Sequence, residues 1–404
     1  MTDNPSVRIH APLPDGVSQA TIGVRGGLLR SEFEETAEAL YLSSGYVYQT
    51  AADAEKAFTG EIDRFVYSRY GNPTISMFEE RLRLIEGAPA CFATATGMAA
   101  VFTSLGALLG AGDRLVAARS LFGSCFVVCN EILPRWGVET VFVDGEDLSQ
   151  WEQALSKPTQ AVFFETPSNP MQSLVDIAAV SELAHDAGAK VVLDNVFATP
   201  LLQQGVPLGA DVVVYSGTKH IDGQGRVLGG AILGDKEYID GPVQTLMRHT
   251  GPAISAFNAW LLLKGLETLA VRMDYANHSA YRVAEFLEGH PSVRWVKYPF
   301  LESHPQYDLA KRQMRGGGTV ITFELEGDDG KARAFEVLDK LRFVDISNNL
   351  GDAKTLITHP ATTTHRAMGP EGRAVIGLGD GVVRISVGLE GTEDLIADLD
   401  RALG

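Results

Sequence analysis

From Cys91 to Ser216 the chain repeats one pattern, a short apolar run followed by a stretch long enough for a helix. The runs are CFATA, RLVAA, VETVFV, QAVFFE, KVVLD and DVVVYS, and none has a polar face. A strand that is apolar on both faces must be covered on both sides, and strands joined by helical crossovers run parallel. The pattern therefore predicts an α/β fold with a mostly parallel central sheet flanked by helices. The sharpest helix signal is NPTISMFEERLRLIEG (72–87). It has a cap-competent Asn72, Pro73 at the first helical position, Ile75, Phe78, Leu82 and Ile85 at spacings of three and four, and Gly87 as a stop. Other helices are expected from Met98, over 124–133, from Leu148 and over 177–187. From about Ile254 a long helical segment leads into strands VRWVK, TVITFEL and VVRISVG mixed with helices, which predicts a smaller C-terminal α+β domain. The division expected is an N-terminal arm over 1–70, a large α/β domain over 71–255 and a C-terminal domain over 256–404.

At 404 residues the chain is long enough for two or three domains. Its 34 basic and 51 acidic residues give a net charge of -17, which repels phosphate polymers and anionic lipid heads. Nucleic-acid and membrane-surface partners are not expected. The uncharged stretch 87–112 is long enough to span a bilayer, but it is rich in Gly, Ser and Thr and reads better as a buried strand followed by a buried helix. The first fifteen residues hold three prolines and no apolar block, so no secretory signal is read there. Cys91, Cys125 and Cys129 form no CxxC pair and fit a reducing compartment, so a cytoplasmic location is expected. Cys125 and Cys129, at i and i+4, read as core thiols. His359 and His365 lie six apart with no HExxH nearby, so no metal site is indicated, and the nine histidines read as caps and surface groups.

Ligands of parallel sheets bind beyond the carboxyl ends of the strands. Asp194 ends KVVLD, where a carboxylate must be paired or serve a cationic ligand. Lys219 follows DVVVYSGT, and partial desolvation there would lower its pKa and free a nucleophilic amine suited to a Schiff base. Taken singly, Lys219 reads as well as a surface lysine and Asp194 as a helix cap. Taken together, a lysine and an acid for a pyridinium nitrogen point to pyridoxal phosphate. A phosphate cradle is then expected at Thr96, Gly97 and Met98, where a strand meets a helix N-terminus, with Ser216 and Thr218 adding hydroxyls. Two competing signals are weaker. Ser216 and Lys219 also spell S-x-x-K, but no K-T-G follows. GQGRVLG (223–229) is one residue too long for a dinucleotide fingerprint.

These segments resemble the cysteine and methionine metabolism family of pyridoxal phosphate enzymes over nearly the whole chain after residue ~20. DVVVYSGTKHIDGQG is similar to its lysine signature, with His220 where a bulky aromatic or Gln is usual. The resemblance implies that Tyr67 and Arg69, in YSRYGNPT, reach the phosphate of a neighbouring subunit. The arm over 1–70 would then contribute to that neighbour's site, making the protein a homo-oligomer, a dimer of active sites and a tetramer. It further implies that TGMAA binds phosphate, that Asn169 in ETPSNP contacts the ring oxygen, that Asp194 in LDN partners the pyridinium, and that Arg384 in VVRISVGLE binds the substrate α-carboxylate as a fork. Phe122, in LFGSC, stands where the family has a ring-stacking tyrosine, so stacking survives without a phenol proton. Loss of that acid favours a carboxylate leaving group over a thiolate. Ser124 stands where γ-lyases often have cysteine, and Asn349 where serine is common near the substrate carboxylate. The implied activity is γ-replacement, in which the succinyl group of O-succinylhomoserine leaves and sulfide enters to give homocysteine in methionine biosynthesis. An acetyl ester, cysteine as the nucleophile, and γ-elimination are the alternatives.

Overall fold

The computed structural model describes residues 13–404 together with the backbone of Arg8 and Ile9. The rest of the proline-rich lead lies outside the described residues. Seven strands form the larger sheet: β1 (Ala90–Thr94), β2 (Arg114–Ala118), β3 (Glu139–Val143), β4 (Ala161–Glu165), β5 (Lys190–Asp194), β6 (Val212–Ser216) and β7 (Gly230–Gly234). Their spatial order is β1-β7-β6-β5-β4-β2-β3. The pairs from β6 across to β3 are parallel, and β7 alone runs antiparallel to its neighbours β6 and β1. Six of the seven strands thus point their carboxyl ends at one edge.

The apolar runs are two-faced for the reason expected. On one side Val116, Val162, Phe164, Val191, Leu193 and Val213 join one core, while Leu115, Ala161, Phe163, Val192, Val212 and Val214 join another on the opposite side. Each fully buried Phe or Val contributes about 1.5–3 kcal/mol. The helix α1 (Pro73–Glu86) is capped by Asn72, whose Oδ1 accepts from the amides of Thr74 (2.9 Å) and Ile75 (3.4 Å), and stops at Gly87 with φ 82°. Ile75, Phe78, Leu82 and Ile85 bury its inner face. The uncharged stretch 87–112 is β1 followed by α2 (Gly97–Leu108). Among the described residues no helix is long and apolar enough to cross a membrane. The helix expected over 124–133 is broken into Gly123–Val127, a wide π turn at Val128–Ile132 and a final turn at Leu133–Arg135. Pro134 has no N–H to continue the regular ladder there.

The long helical segment is two helices, α3 (Ala256–Glu267) and α4 (Leu269–Glu288), divided at Thr268. Ala259, Leu262, Leu263 and Leu266 of α3 pack in the core of the larger sheet, whereas Ala280, Val283, Ala284 and Leu287 of α4 pack in a second core. The helix expected to open the C-terminal unit therefore leans on the larger sheet. That second core covers a five-stranded sheet of β8 (Val293–Lys297), β9 (Val320–Leu325), β10 (Asp345–Ile346), β11 (Leu356–Thr358) and β12 (Val382–Ser386), ordered β8-β9-β12-β11-β10. The N-terminal segment is tied down by Arg81 of α1. This fully buried side chain donates to Gly26 O (2.8 Å) and to Glu38 Oε1 (2.5 Å).

Candidate active site

The carboxyl ends of β1, β2, β4, β5 and β6 bring five loops to one edge of the larger sheet, and each carries residues singled out above. Thr96, Gly97 and Met98 follow β1, Phe122 follows β2, Asn169 follows β4, Asp194 ends β5, and Ser216, Thr218 and Lys219 close β6. At the β1–α2 junction Thr96 caps the helix, its hydroxyl accepting from Ala99 N (3.0 Å). The first-turn amides of Gly97 and Met98 have no intrahelical acceptor, an arrangement that suits an anion. Gly97 is required here by space, because a Cβ would sit 2.6 Å from Ser216 Cβ and 2.8 Å from its hydroxyl oxygen. The Ser216 hydroxyl thus lies beside the cradle. Thr218 is partly engaged, accepting from Gly229 N at 3.2 Å.

Lys219 is half-buried, and burial followed by the charge of Arg384 pushes its pKa down to about 8. Its Nζ donates to Oδ1 of Asn349, in the loop after β10. The Asn349 side chain therefore turns its oxygen to the lysine. Arg384 on β12 is 1% exposed. It donates from Nη1 to Asn169 Oδ1 (2.9 Å) and from Nη2 to the carbonyls of Asn348 (2.9 Å) and Asn349 (3.2 Å), while its buried Nε has no partner among the described residues. A buried, unpartnered guanidinium N–H is what a bound carboxylate satisfies. Burial pushes the Arg384 pKa down to about 10.

Asp194 is 7% exposed and accepts from Val196 N (3.1 Å), and burial pushes its carboxyl up to about 7. It stands opposite Glu165 in the β4–β5 register. Glu165 is also buried, and its carboxyl accepts from Phe122 N (2.9 Å) and Asn169 N (2.6 Å). Burial, then Asp194, drive its pKa well above the carboxylate range. Asn169 is held at a third point by His365, whose Nε2 donates to Asn169 O (3.1 Å) while its Nδ1 accepts from Thr364 Oγ1 (2.8 Å). Burial brings His365 down to about 4, so the ring is neutral. Behind Asp194, Asn195 donates to Tyr215 Oη (2.6 Å) and Tyr215 donates to Glu86 (2.6 Å).

Several of these partners were not singled out in the sequence. His220, His304, His359 and His365 are buried and hydrogen-bonded, so reading every histidine as a cap or surface group is corrected for these four. Tyr67 and Arg69 stand apart from the Lys219 cluster. Arg69 lies over the rings of Tyr67 (5.1 Å) and Tyr70 (5.0 Å) and donates to Arg248 O, while the Arg248 guanidinium also lies over the Tyr70 ring (4.9 Å). Cys125 and Cys129 are buried free thiols, as the helical spacing suggested. No metal-binding cluster occurs among the described residues.

An amine of lowered pKa, a buried acid and a helix-end anion cradle suit the aldehyde, ring nitrogen and phosphate of pyridoxal phosphate. Comparison with known proteins agrees with that chemistry. The family model described as Cys/Met metabolism PLP-dependent enzyme matches residues 20–404. O-succinylhomoserine sulfhydrylase of Mycobacterium tuberculosis is 84% identical over 405 residues, covering 100% of both chains. The enzyme of the same name from Pseudomonas aeruginosa is 46% identical over 389 residues, covering 96% of both. Among solved structures, cystathionine gamma synthase from Xanthomonas oryzae pv. oryzae in complex with aminoacrylate and cysteine superposes with a TM-score of 0.91 at 35% identity, covering 97% of this chain and 98% of that one.

Proposed function

The chain belongs to the Cys/Met metabolism family of PLP-dependent enzymes, and from that premise we propose that it catalyses γ-replacement, converting O-succinyl-L-homoserine and sulfide to L-homocysteine and succinate. The observation that carries this reading is the 84% identity, end to end, with a relative named for that reaction. Bound pyridoxal phosphate supplies an electron sink for the charge that develops at the substrate's α and β carbons. The Thr96–Met98 turn, Ser216 and Thr218 would hold its phosphate, Phe122 would stack on its ring, Asn169 would contact the ring oxygen, and Asp194 would keep the ring nitrogen protonated. Lys219 would bind the aldehyde carbon and would move protons at the α and β carbons. Its lowered pKa keeps a fraction of the amine unprotonated near neutrality. Asn349 would hold the Lys219 amine through its side-chain oxygen. Arg384 grips the α-carboxylate with its unpartnered Nε and one terminal nitrogen. Phe122 offers no proton, and a carboxylate leaving group needs none.

The assembly is a homo-oligomer in which Tyr67 and Arg69 of the arm over 1–70 complete a neighbour's site, the unit over 71–255 holds the cofactor, and that over 256–404 supplies Arg384 and Asn349. Supporting this, the segment before Tyr67 exposes Phe33 (83%), Leu42 (69%), Val47 (88%) and Phe58 (70%), an apolar display suited to burial against a second copy, with a tetramer as the full assembly. A cytoplasmic location fits the three free thiols. The test is a kinetic comparison of the succinyl and acetyl esters, each with sulfide and with cysteine, following homocysteine, cystathionine and 2-oxobutanoate. Succinyl ester with sulfide is expected to give the highest kcat/KM. Faster turnover to 2-oxobutanoate would reassign the enzyme as a γ-lyase.

A further inference from the structure

We propose that Glu165 is a positioning residue that sets the tilt of the cofactor ring by tying the backbone amide of Phe122 to that of Asn169. The inference rests on the placing of Phe122 and Asn169 around the ring given above. A planar ring is oriented when one group defines its face and another its edge. Phe122 would define the face and Asn169 the edge, yet they follow different strands, β2 and β4. Glu165 spans them with one oxygen each, Oε2 to Phe122 N at 2.9 Å and Oε1 to Asn169 N at 2.6 Å. The brace extends further, because the Asn169 side chain accepts from Arg384 (2.9 Å) and its carbonyl from His365 (3.1 Å). One carboxylate therefore links the stacking residue, the ring-oxygen contact and, through Asn169, the carboxylate-binding arginine.

The hydrogen bonding of Glu165 argues that the link serves the site. Both of its oxygens face N–H donors, one from Phe122 and one from Asn169. Taking so polar a group into the interior at the end of β4, beside Asp194, costs desolvation, and packing alone is served as well by an apolar side chain.

The test uses the holoenzyme and reads the cofactor. Visible-region circular dichroism of bound pyridoxal phosphate reports ring orientation and is independent of which acyl ester is the substrate. Glu165→Gln keeps the size but sets an amide donor against one of the two N–H groups. Glu165→Asp keeps the carboxyl group but is too short to reach both. Each variant is expected to lose at least about half the visible dichroism and to raise the cofactor dissociation constant about tenfold, with far-UV dichroism unchanged. Phe122→Ala is the control. If it alters the visible signal and the Glu165 variants do not, the tie is refuted. If Phe122→Ala leaves the signal intact, the stacking assignment fails and the tie falls with it. A lowered melting temperature with unchanged visible dichroism assigns Glu165 to the fold alone and overturns the proposal, as does failure of both variants to fold.

Discussion

Replacing Arg384 with lysine keeps the charge and removes the fork, so it isolates geometry. Arg384 is 1% exposed and divides its two terminal nitrogens among Asn169 Oδ1 at 2.9 Å and the carbonyls of Asn348 at 2.9 Å and Asn349 at 3.2 Å. Its Nε has no partner among the described residues, which is the basis for the substrate contact proposed above. An ammonium has three donors on one atom and cannot serve Asn169, the 348–349 loop and both carboxylate oxygens together. Each hydrogen bond to a charged donor is worth about 1.5–3 kcal/mol. Losing one substrate contact, with partial loss of the loop contacts, gives about 2–3 kcal/mol, or roughly 30- to 150-fold in kcat/KM. Because the α-carboxylate is held before and during reaction, most of the loss belongs in KM. Initial rates of homocysteine formation from O-succinylhomoserine and sulfide measure it. A kcat/KM for Arg384→Lys within threefold of the parent refutes the reasoning, and a loss confined to kcat shows that Arg384 acts somewhere other than the ground-state carboxylate.

Asp194→Ala is expected to cost more than Arg384→Lys, at least about a thousandfold in kcat, because nothing else at the end of β5 can hold a proton on the ring nitrogen; equal activity of parent and variant contradicts this. Lys219, with its pKa depressed to about 8 by burial and Arg384, is an ammonium below that pH and a free amine above it. Cofactor uptake by the apo-protein should therefore rise about tenfold per pH unit up to about 8 and then level off, as absorbance in stopped flow will report. Lys219→Ala should leave no borohydride-fixed label on the peptide spanning residue 219. Phe122→Tyr restores a phenol beside the ring and is expected to raise γ-elimination of thioethers relative to replacement, with 2-oxobutanoate release as the measure.

Much of the fold could be read from the chain because its strands have no polar face. KVVLD and QAVFFE can sit only in the middle of a covered sheet, and Asp194 and Lys219 then fall at the strand ends where ligands bind. β7 was not legible. Its residues, GAILG, open and close on glycine, which leaves only Ala231, Ile232 and Leu233 as an apolar run, and its antiparallel placement is decided by partners on both sides. The break at Val128–Ile132 escaped because the penalty of Pro134 acts on hydrogen bonds behind it. Glu165 was visible only as part of ETPSNP; its bond to Phe122 N spans 43 positions. The oxygen that Asn349 turns to Lys219 crosses 130 positions, between the two sheets. Spacing along a chain carries no signal for such pairs.

The larger sheet supplies Lys219, Asn169 and Asp194, and the smaller one Arg384 and the 348–349 loop; the larger sheet is covered by a core on each face and the smaller by a separate one. An amino acid seated between the lysine and the arginine is a cross-brace spanning the joint between two separately cored lobes. Substrate analogues should therefore draw the melting of the two halves into one sharper transition, so that calorimetric cooperativity becomes a gauge of occupancy even for compounds that never turn over.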